Sequence, residues 1–435
     1  MNFVRKPAAT VLLTLAAATG GWGQPIPAEL RTLVGQAVEH SPSVQRGILQ
    51  EQASRLHTAD AKSGYLPTVN ATAGYQYYTL VSQAAFPGLG SFAFQPKNNY
   101  NAQLNVNQTL VDFGRTRTAL EAALEEEANA RTTTESFRHL VGYQVAQVYY
   151  GVVFLQQSIA VQDTVLASLQ ENARTIEAKL RQGEAIDLDR LNTKSLIDQT
   201  QNRKIDLQNQ VAKQMAVLQY LVGSAPSVSS RAQFDFQLAD TTGLSSGKGN
   251  YSVRLAENQV KLAERMQATA SRQYYPTLTA MASGGYRNGF LDPDHKPADA
   301  LARFRPNAVV GASLTVPIYS GGRTDRAQQL ARTQAALART AQQDARDGYR
   351  RDLSSALADR DGAAFKLRNV ASQVQQSQRA LELAKSRYRN GVATNLDVLN
   401  SNDLYQQTRL AEVQARYQLT IAELEIARLS GVDLK

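Results

Sequence analysis

RNGVATNLDVLN, residues 389–400, repeats the stretch RQGEAIDLDRLN, residues 181–192, with seven of the twelve positions identical. Other phrases recur at nearly the same spacing. Ser43-Val44 returns 209 residues later as Ser252-Val253, and Gly114-Arg115-Thr116 returns 208 residues later as Gly322-Arg323-Thr324. A repeat this long predicts two similar structural halves packed side by side. We therefore expect structural repeats at 24–222 and 250–435, joined by a linker or equatorial segment at 223–249.

The first 23 residues have the pattern of a secretory signal peptide. Arg5 and Lys6 precede an apolar stretch at 8–18, and small residues follow. This stretch is too short for a spanning helix. The chain has no cysteine, which excludes disulfides, thiolate metal sites and a lipid anchor on an N-terminal cysteine. Beyond residue 23 no apolar run approaches the ~20 residues of a transmembrane helix. We expect an exported chain that is not lipidated.

The charge pattern and the scattered histidines disfavour nucleic acid and catalysis. The net charge is +9, but lysine and arginine are spread among many acidic residues along helical stretches. A basic patch that tracks phosphates would be denser. The four histidines have no metal-ligand spacing, and no nucleophile elbow or phosphate loop is present. We predict no enzyme activity, no cofactor and no metal site.

Each half follows the same order of periodicities. A helical stretch, about 28–65 and 251–275, is predicted to end near Pro67 and Pro276, because proline cannot continue a helix. Two strands come next, and then a very long helix starts after Gly114 and Gly322. A second helix returns at about 187–221 and 395–429. Pro67, Pro276, Gly114 and Gly322 thus mark the expected helix–strand corners.

The predicted strands have one apolar and one polar face. Tyr100, Ala102, Leu104 and Val106 alternate with asparagine and glutamine. Alternation over about ten residues is typical of a strand with two different faces. Each half therefore contains a predicted hairpin, with long loops at 86–97 and 291–305.

The long helices carry a coiled-coil pattern. In the first one, apolar residues alternate at spacings of four and three from Val141 to Leu180, and only Gln162 interrupts them. This spacing is a heptad seam. From Arg115 to Arg181 such a helix measures about 100 Å at ~1.5 Å per residue.

The strand faces raise the question of a membrane. About ten residues match a tilted strand crossing a bilayer. In lipid every backbone amide needs a partner, so a sheet there closes into a barrel, and four strands are too few. A homotrimer supplies twelve strands, four from each chain. We predict an α+β membrane protein with a shared 12-stranded β-barrel and a long α-helical coiled-coil barrel. The alternative is a secreted or periplasmic coiled-coil structural or interaction protein without channel activity.

The chain resembles the TolC family of bacterial outer-membrane efflux and secretion channels. The resemblance rests on the duplication, YLPT (65–68) and YPTL (275–278), PIYSGGRTDRA (317–327) and YRNGVATNLDVLN (388–400). It implies a Gram-negative outer-membrane homotrimer in contact with lipid and reaching into the periplasm. It also implies a periplasmic adaptor and an inner-membrane pump, proton-driven or ATP-driven, in a tripartite efflux pump or type I secretion system. Drugs, metal ions and proteins leave through similar channels, and the pump chooses the cargo.

The repeated phrase has the chemistry of a helical turn. Gly183 and Gly391 favour the left-handed conformation that ends a helix. Asp187 and Asn395 are predicted N-caps of the returning helices. Asp189 and Asp397 follow two residues later, where an acid is favoured by the helix dipole.

In TolC-family channels these turns form the periplasmic tip, which closes like an iris. By position in the motif, Asp397 matches an acid of the family's aperture ring, and Asn400 stands where a second acid is found. Tyr388 and Asp189 match residues that hold the closed tip together. Ala393 replaces the family's arginine, which implies a weaker or different lock. The resulting hypothesis is that Asp189 and Tyr388 restrain the tip while Asp397 sets its charge.

Overall fold

The computed structural model describes residues 26–87, 90–236, 247–291 and 297–434, so the predicted signal peptide lies outside the described residues. In chain order the first half contains α1 (Ala28–His40), α2 (Pro42–Ser63), β1 (Thr68–Tyr77), β2 (Gln83–Phe86), β3 (Gly90–Ala93), β4 (Asn98–Val111), α3 (Arg115–Arg181) and α4 (Asp187–Val222). The second half contains α5 (Tyr251–Ser271), β5 (Thr277–Arg287), α6 (Pro297–Ala302), β6 (Arg305–Thr315), α7 (Arg323–Arg389) and α8 (Asn395–Ser430). The long helices α3 and α7 have 67 residues each, and α4 and α8 have 36 each.

The first helical stretch differs from the sequence prediction. The chain forms two helices where one was expected over 28–65, and the break falls at Ser41, whose backbone is extended. Pro42 opens α2 at a position where its missing N–H costs nothing. The same missing N–H prevents α1 from continuing through it. In the second half α5 is followed by a 3-10 turn at Arg272–Tyr274.

The strands form one antiparallel sheet in the order β1-β4-β5-β6. The β4–β5 pair joins the two halves, with Asn101 opposite Arg287. Opposed residues share a face, and the register places Val69 opposite Val106 and Asn70 opposite Asn105. One face is therefore apolar and the other is rich in amides. Within the chain β1 and β6 are the edges of this sheet, and every residue of β1 is exposed.

The two hairpin connections carry structure of their own. The sequence predicted plain loops at 86–97 and 291–305. In the first connection β2 and β3 form a short antiparallel pair, and in the second α6 precedes β6. Short segments of this kind lack the long periodic pattern from which elements are predicted.

One compact unit contains the described residues between 38 and 141 and between 247 and 353, and it includes the four-stranded sheet. Here α5 packs between α3 and α7 and forms ion pairs with both. The arginines of α5 reach α3, and its glutamates reach α7: Arg254–Glu135 at 3.0 Å, Arg265–Glu121 at 2.9 Å, Arg339–Glu264 at 2.8 Å and Arg346–Glu257 at 2.9 Å. Exposed ion pairs contribute little stability, so their main effect is on orientation and register.

Among the described residues, the other compact unit contains 26–37, 142–236 and 354–434. The predicted seam of α3 is buried here, and Val145, Val152 and Ile176 have no exposed surface. The interruption at Gln162 is buried as well, at 2% exposure. Its Oε1 accepts a hydrogen bond from Nε2 of Gln406 on α8 at 2.9 Å. A buried amide pair of this kind fixes one register between helices.

One described helix, α3, contains an 18-residue stretch with mean hydropathy 1.3, apolar enough by length and composition to cross a membrane. No such run was expected from the sequence. In the folded chain 44% of the stretch is buried. A single stretch of this kind is weak support for a span.

Candidate functional site

The two repeated phrases form turns with the same backbone geometry. At the first, Gly183 has φ +75° and the N–H of Glu184 donates to the carbonyl of Lys179 at 2.9 Å. At the second, Gly391 has φ +75° and the N–H of Val392 donates to the carbonyl of Arg387 at 2.9 Å. This pairing satisfies carbonyls that a helix end leaves free, and glycine adopts the left-handed conformation without strain.

The predicted N-caps are wrong by one residue. Asp187 and Asn395 are the first residues of α4 and α8, and the extended cap residues are Ile186 and Thr394. Asp187 is exposed, and its carboxylate accepts from Nε of Arg190 at 2.7 Å. This hydrogen bond, with the charge of Arg190, lowers the pKa of Asp187. An N-cap residue has extended backbone, and the residue types of Asp187 and Asn395 alone do not reveal that property.

Asp397 belongs to a capping box. Its carboxylate accepts from the N–H of Thr394 at 2.8 Å and from the Thr394 hydroxyl at 2.7 Å, while its own N–H donates back to that hydroxyl at 3.3 Å. These hydrogen bonds lower the pKa of Asp397, the one from the side chain most, and the charge of Arg387 adds to them. The carboxylate is exposed, and because its pKa is lowered it remains ionised at pH values at which an ordinary aspartate is protonated. In the first turn Ile186 has no hydroxyl to make this box.

Tyr388 lies in a small apolar cluster at the turns. It is 7% exposed and packs with Ile176 and Val398 against partly buried alanines that include Ala393. The Nζ atom of Lys179 is 5.0 Å from the ring centroid, within cation–π range. Burial raises the pKa of the hydroxyl, and the charge of Asp189 raises it further. Among the described residues this buried hydroxyl has no hydrogen-bond partner.

Asn395 connects three helices at the turns. Its side chain is 2% exposed, and Oδ1 accepts from Nδ2 of Asn172 on α3 at 2.8 Å. Its Nδ2 donates to the carbonyl of Asp189 at 3.4 Å and to the hydroxyl of Thr193 at 3.3 Å, both on α4. Asn395 was predicted to be a cap, and its contacts with α3 and α4 were not predicted. The sequence did contain one indication of this role. Asn395 stands at the repeat position that Asp187 occupies in the first half, and a neutral amide is buried at lower cost than a carboxylate.

The remaining predicted residues occupy defined places. Asn400 is exposed on α8, and Asp189 is partly exposed on α4. Pro67 and Pro276 directly precede β1 and β5. Gly114 and Gly322, with φ +90° and +73°, directly precede α3 and α7. In the part of the chain that the structure describes, no group of three or more His, Asp or Glu side chains could hold a metal ion.

Comparison with known proteins identifies the family of this chain. The family model described as "Outer membrane efflux protein" matches residues 33–224 and 247–432. The duplicated long helices, the four-stranded sheet and this match define an outer-membrane channel protein. The chain belongs to the outer membrane efflux protein family, whose members are channel proteins of the Gram-negative outer membrane rather than enzymes.

Individual relatives are similar over nearly the whole chain. The pyoverdine export outer membrane protein OpmQ of Pseudomonas aeruginosa is 24% identical over 91% of this chain and 83% of its own length. The outer membrane efflux protein BepC of Brucella suis is 25% identical over 86% of this chain and 79% of its own. The crystal structure of VceC from Vibrio cholerae has a TM-score of 0.76 and 20% identity, over 93% of this chain and 96% of that one. The fold is therefore that of a TolC-like channel.

Proposed function

We propose that three copies of this chain form the outer-membrane exit duct of an efflux or secretion system. The observation that carries the proposal is the sheet with an apolar face and two free edges, β1 and β6. In lipid an open edge leaves backbone N–H and C=O groups without partners. Pairing β6 of one copy with β1 of the next gives a closed barrel of twelve strands, whose amide-rich face lines the lumen. Native mass measurement in detergent tests this, with a trimer expected and a stable monomer contradicting it.

The duplication supports the predicted division of the chain. We propose residues 1–23 as the signal peptide, 24–222 and 250–435 as the structural repeats, and 223–249 as the connection between them. Three copies then contribute six repeats, and hence six tip turns, around one axis.

The proposed partners are a periplasmic adaptor and an inner-membrane pump, proton-driven or ATP-driven. The family membership supports both, since outer-membrane efflux proteins act as parts of tripartite pumps. The names of the relatives OpmQ and BepC concern export and efflux, so we propose small-molecule efflux ahead of protein secretion. Co-purification of the chain with the adaptor and pump encoded beside it tests this assignment. A protein-secretion ATPase in that position would contradict it.

We propose that the two turns gate the duct at its periplasmic tip. Asp189 and Tyr388 restrain the closed tip, Asp397 supplies a ring of negative charge, and Asn400 reduces that ring to a single acid. The proposal is supported by the cluster around Tyr388, since its ring ties α7 to α3 and α8. Ala393 stands where the family's arginine is expected, and here it packs in the same cluster.

Substitutions of Tyr388 separate the ring from the hydroxyl. Tyr388→Ala removes a buried ring, which typically costs about 3–5 kcal/mol, and we expect it to increase single-channel conductance in planar bilayers. Tyr388→Phe keeps the ring and removes a hydroxyl without a described partner, so we expect conductance close to that of the unmodified protein. Asp189→Ala alone is expected to give an intermediate increase. Equal conductance of Tyr388→Ala and the unmodified channel would contradict the restraint.

Thr394 controls the protonation of the proposed charge ring. Because hydrogen bonds from Thr394 lower the pKa of Asp397, cation preference should persist as the pH falls below the ordinary range of an aspartate. Thr394→Val removes the hydroxyl donor, so the carboxylate should be protonated at higher pH and the preference lost earlier. Reversal potentials in a salt gradient, measured from neutral to acidic pH, report this shift. Thr394→Ser retains the hydroxyl and is the matched control, and identical titrations of Thr394→Val and Thr394→Ser would refute the assignment.

A further inference from the structure

We propose that neighbouring copies of the chain bind each other through a leucine seam between α2 of one copy and α7 of the next, closed at each end by an ion pair. The proposal rests on the trimer proposed above and specifies one of its contact surfaces. It follows from a difference between the two halves of the chain. One helical stripe is covered in the first half, and the equivalent stripe is bare in the second.

The covered stripe lies on α3. It consists of residues at heptad spacing, each buried or partly buried: Thr118, Ala122, Glu125, Asn129, Thr132, Ser136 and His139. The antiparallel helix α5 covers it. Asn258 donates to Thr132 at 2.9 Å, Arg265 pairs with Glu121 at 2.9 Å, and the rings of Tyr251 and His139 are 4.8 Å apart.

The equivalent stripe on α7 has no cover within the chain. Adding the repeat offset of 208 gives Arg326, Leu330, Thr333, Leu337, Thr340, Asp344 and Asp347, and all seven are exposed. Leu330 and Leu337 expose 60% and 65% of their surface. Two leucines seven residues apart on a bare stripe form the apolar centre of a helix-packing surface.

The complementary stripe lies on α2. On α5, Tyr251, Asn258 and Arg265 contact α3. Heptad spacing adds Leu255, Leu262 and Thr269 to the same stripe. Subtracting the offset of 209 gives their counterparts on α2, which are all exposed: Pro42, Arg46, Leu49, Ala53, Leu56 and Asp60. Leu49 and Leu56 are 62% and 71% exposed. The chain thus carries one bare stripe of each kind, and only another copy can bring the two together in the α5–α3 arrangement.

Transfer of the α5–α3 register gives the pairing between copies. The repeat counterparts of Asn258 and Thr132 are Leu49 and Thr340, so this register brings Leu49 of one copy against Thr340 of the next, beside Leu337. In the same antiparallel register Arg46 lies opposite Asp344. Arg326 lies one helical turn beyond the position opposite Asp60, a stagger similar to that of the Arg265–Glu121 ion pair within the chain. Opposite charges therefore meet at both ends of the leucines, which is the charge complementarity expected of a specific contact.

The pairing also discriminates between the two surfaces. Within the chain the α5–α3 contact includes the arginine–glutamate pairs Arg254–Glu135 and Arg265–Glu121, which set its register. Their counterparts between copies are Gln45 with Gln343 and Leu56 with Gln329. If α2 packed on the α3 stripe in place of α5, Glu121 and Glu135 would have no arginine partner on the opposing helix. Such mismatches favour the correct neighbour over the wrong one.

Disulfide trapping tests the seam, because the chain has no cysteine of its own. In the full-length protein in detergent, Leu49→Cys with Thr340→Cys is expected to give covalent dimers and trimers on oxidation. Asn258→Cys with Thr132→Cys is the matched control, which should close within one chain and leave a monomer band. Leu56→Cys with Arg332→Cys places the second thiol on another side of α7 and should not cross-link.

Charge reversal gives an independent measurement. Arg46→Asp should lower the thermal stability of the assembled protein, and adding Asp344→Arg should restore it. A trimer that neither cross-links at Leu49 and Thr340 nor shows this rescue overturns the seam and leaves the proposed duct intact. A monomer by native mass measurement overturns the duct itself.

Discussion

Gly285→Ala is expected to prevent assembly of the sheet, whereas Gly284→Ala next to it is expected to be tolerated. A Cβ atom at Gly285 lies 2.1 Å from the carbonyl oxygen of Ala102 and 2.6 Å from the Cα atom of Gln103. Both neighbours are backbone of β4, so neither can turn away as a side chain could. Overpacking of this severity costs on the order of 3 kcal/mol or more. A Cβ atom at Gly284 meets nothing within 4 Å.

The amount of trimer recovered from the outer membrane, with its thermal stability, measures this difference. We expect little or no trimer for Gly285→Ala and a normal amount for Gly284→Ala. Because the two glycines are adjacent in β5, they share the strand and the sequence context. Equal recovery of the two variants would show that the β4–β5 pairing, which joins the two halves, differs from the one described here.

Asn395→Ala is expected to favour the open tip. The side chain is the acceptor for Nδ2 of Asn172 and the donor to two oxygens of α4. Its removal leaves the buried Asn172 amide without that acceptor, which costs about 1–3 kcal/mol. Since 1.4 kcal/mol corresponds to tenfold in an equilibrium, we expect the closed-to-open ratio to fall by roughly tenfold. Single-channel recordings should show a corresponding increase in open time or conductance.

Asp187→Ala is the matched control, because Asp187 occupies the position of Asn395 in the other repeat. Its side chain is exposed and bonds only to Arg190 on its own helix among the described residues. We expect little change in gating for this variant. If Asn395→Ala and Asp187→Ala behaved alike, the connection between the three helices would not restrain the tip.

The parts of the fold that follow from periodicity could be predicted from the sequence. The heptads of α3, the alternation in β4 and the glycines at 183 and 391 each reflect a local geometric requirement. The internal duplication supported these predictions, because each pattern appears once in each half of the chain. Membership of the efflux channel family agrees with the resemblance carried by the two turn phrases and by PIYSGGRTDRA.

The roles that depend on packing could not be predicted. Gln162 looked like a fault in the seam, but Gln406, 244 residues away, supplies its partner. Asn395 looked like a cap, because its contacts come from α3 and α4 and leave no mark in the neighbouring sequence. Thr394 was overlooked for a related reason, since the choice between adjacent cap residues depends on which one has extended backbone.

Single-channel recording of the purified trimer in planar bilayers shows whether the protein forms a gated duct. We expect discrete conductance steps with a preference for cations, because the proposed gate places the carboxylates of Asp397 around the aperture. We also expect low conductance in the closed tip and higher conductance in Tyr388→Ala and Asn395→Ala. If a folded trimer inserted into the bilayer and conducted no ions in any of these forms, the protein would not be a gated duct.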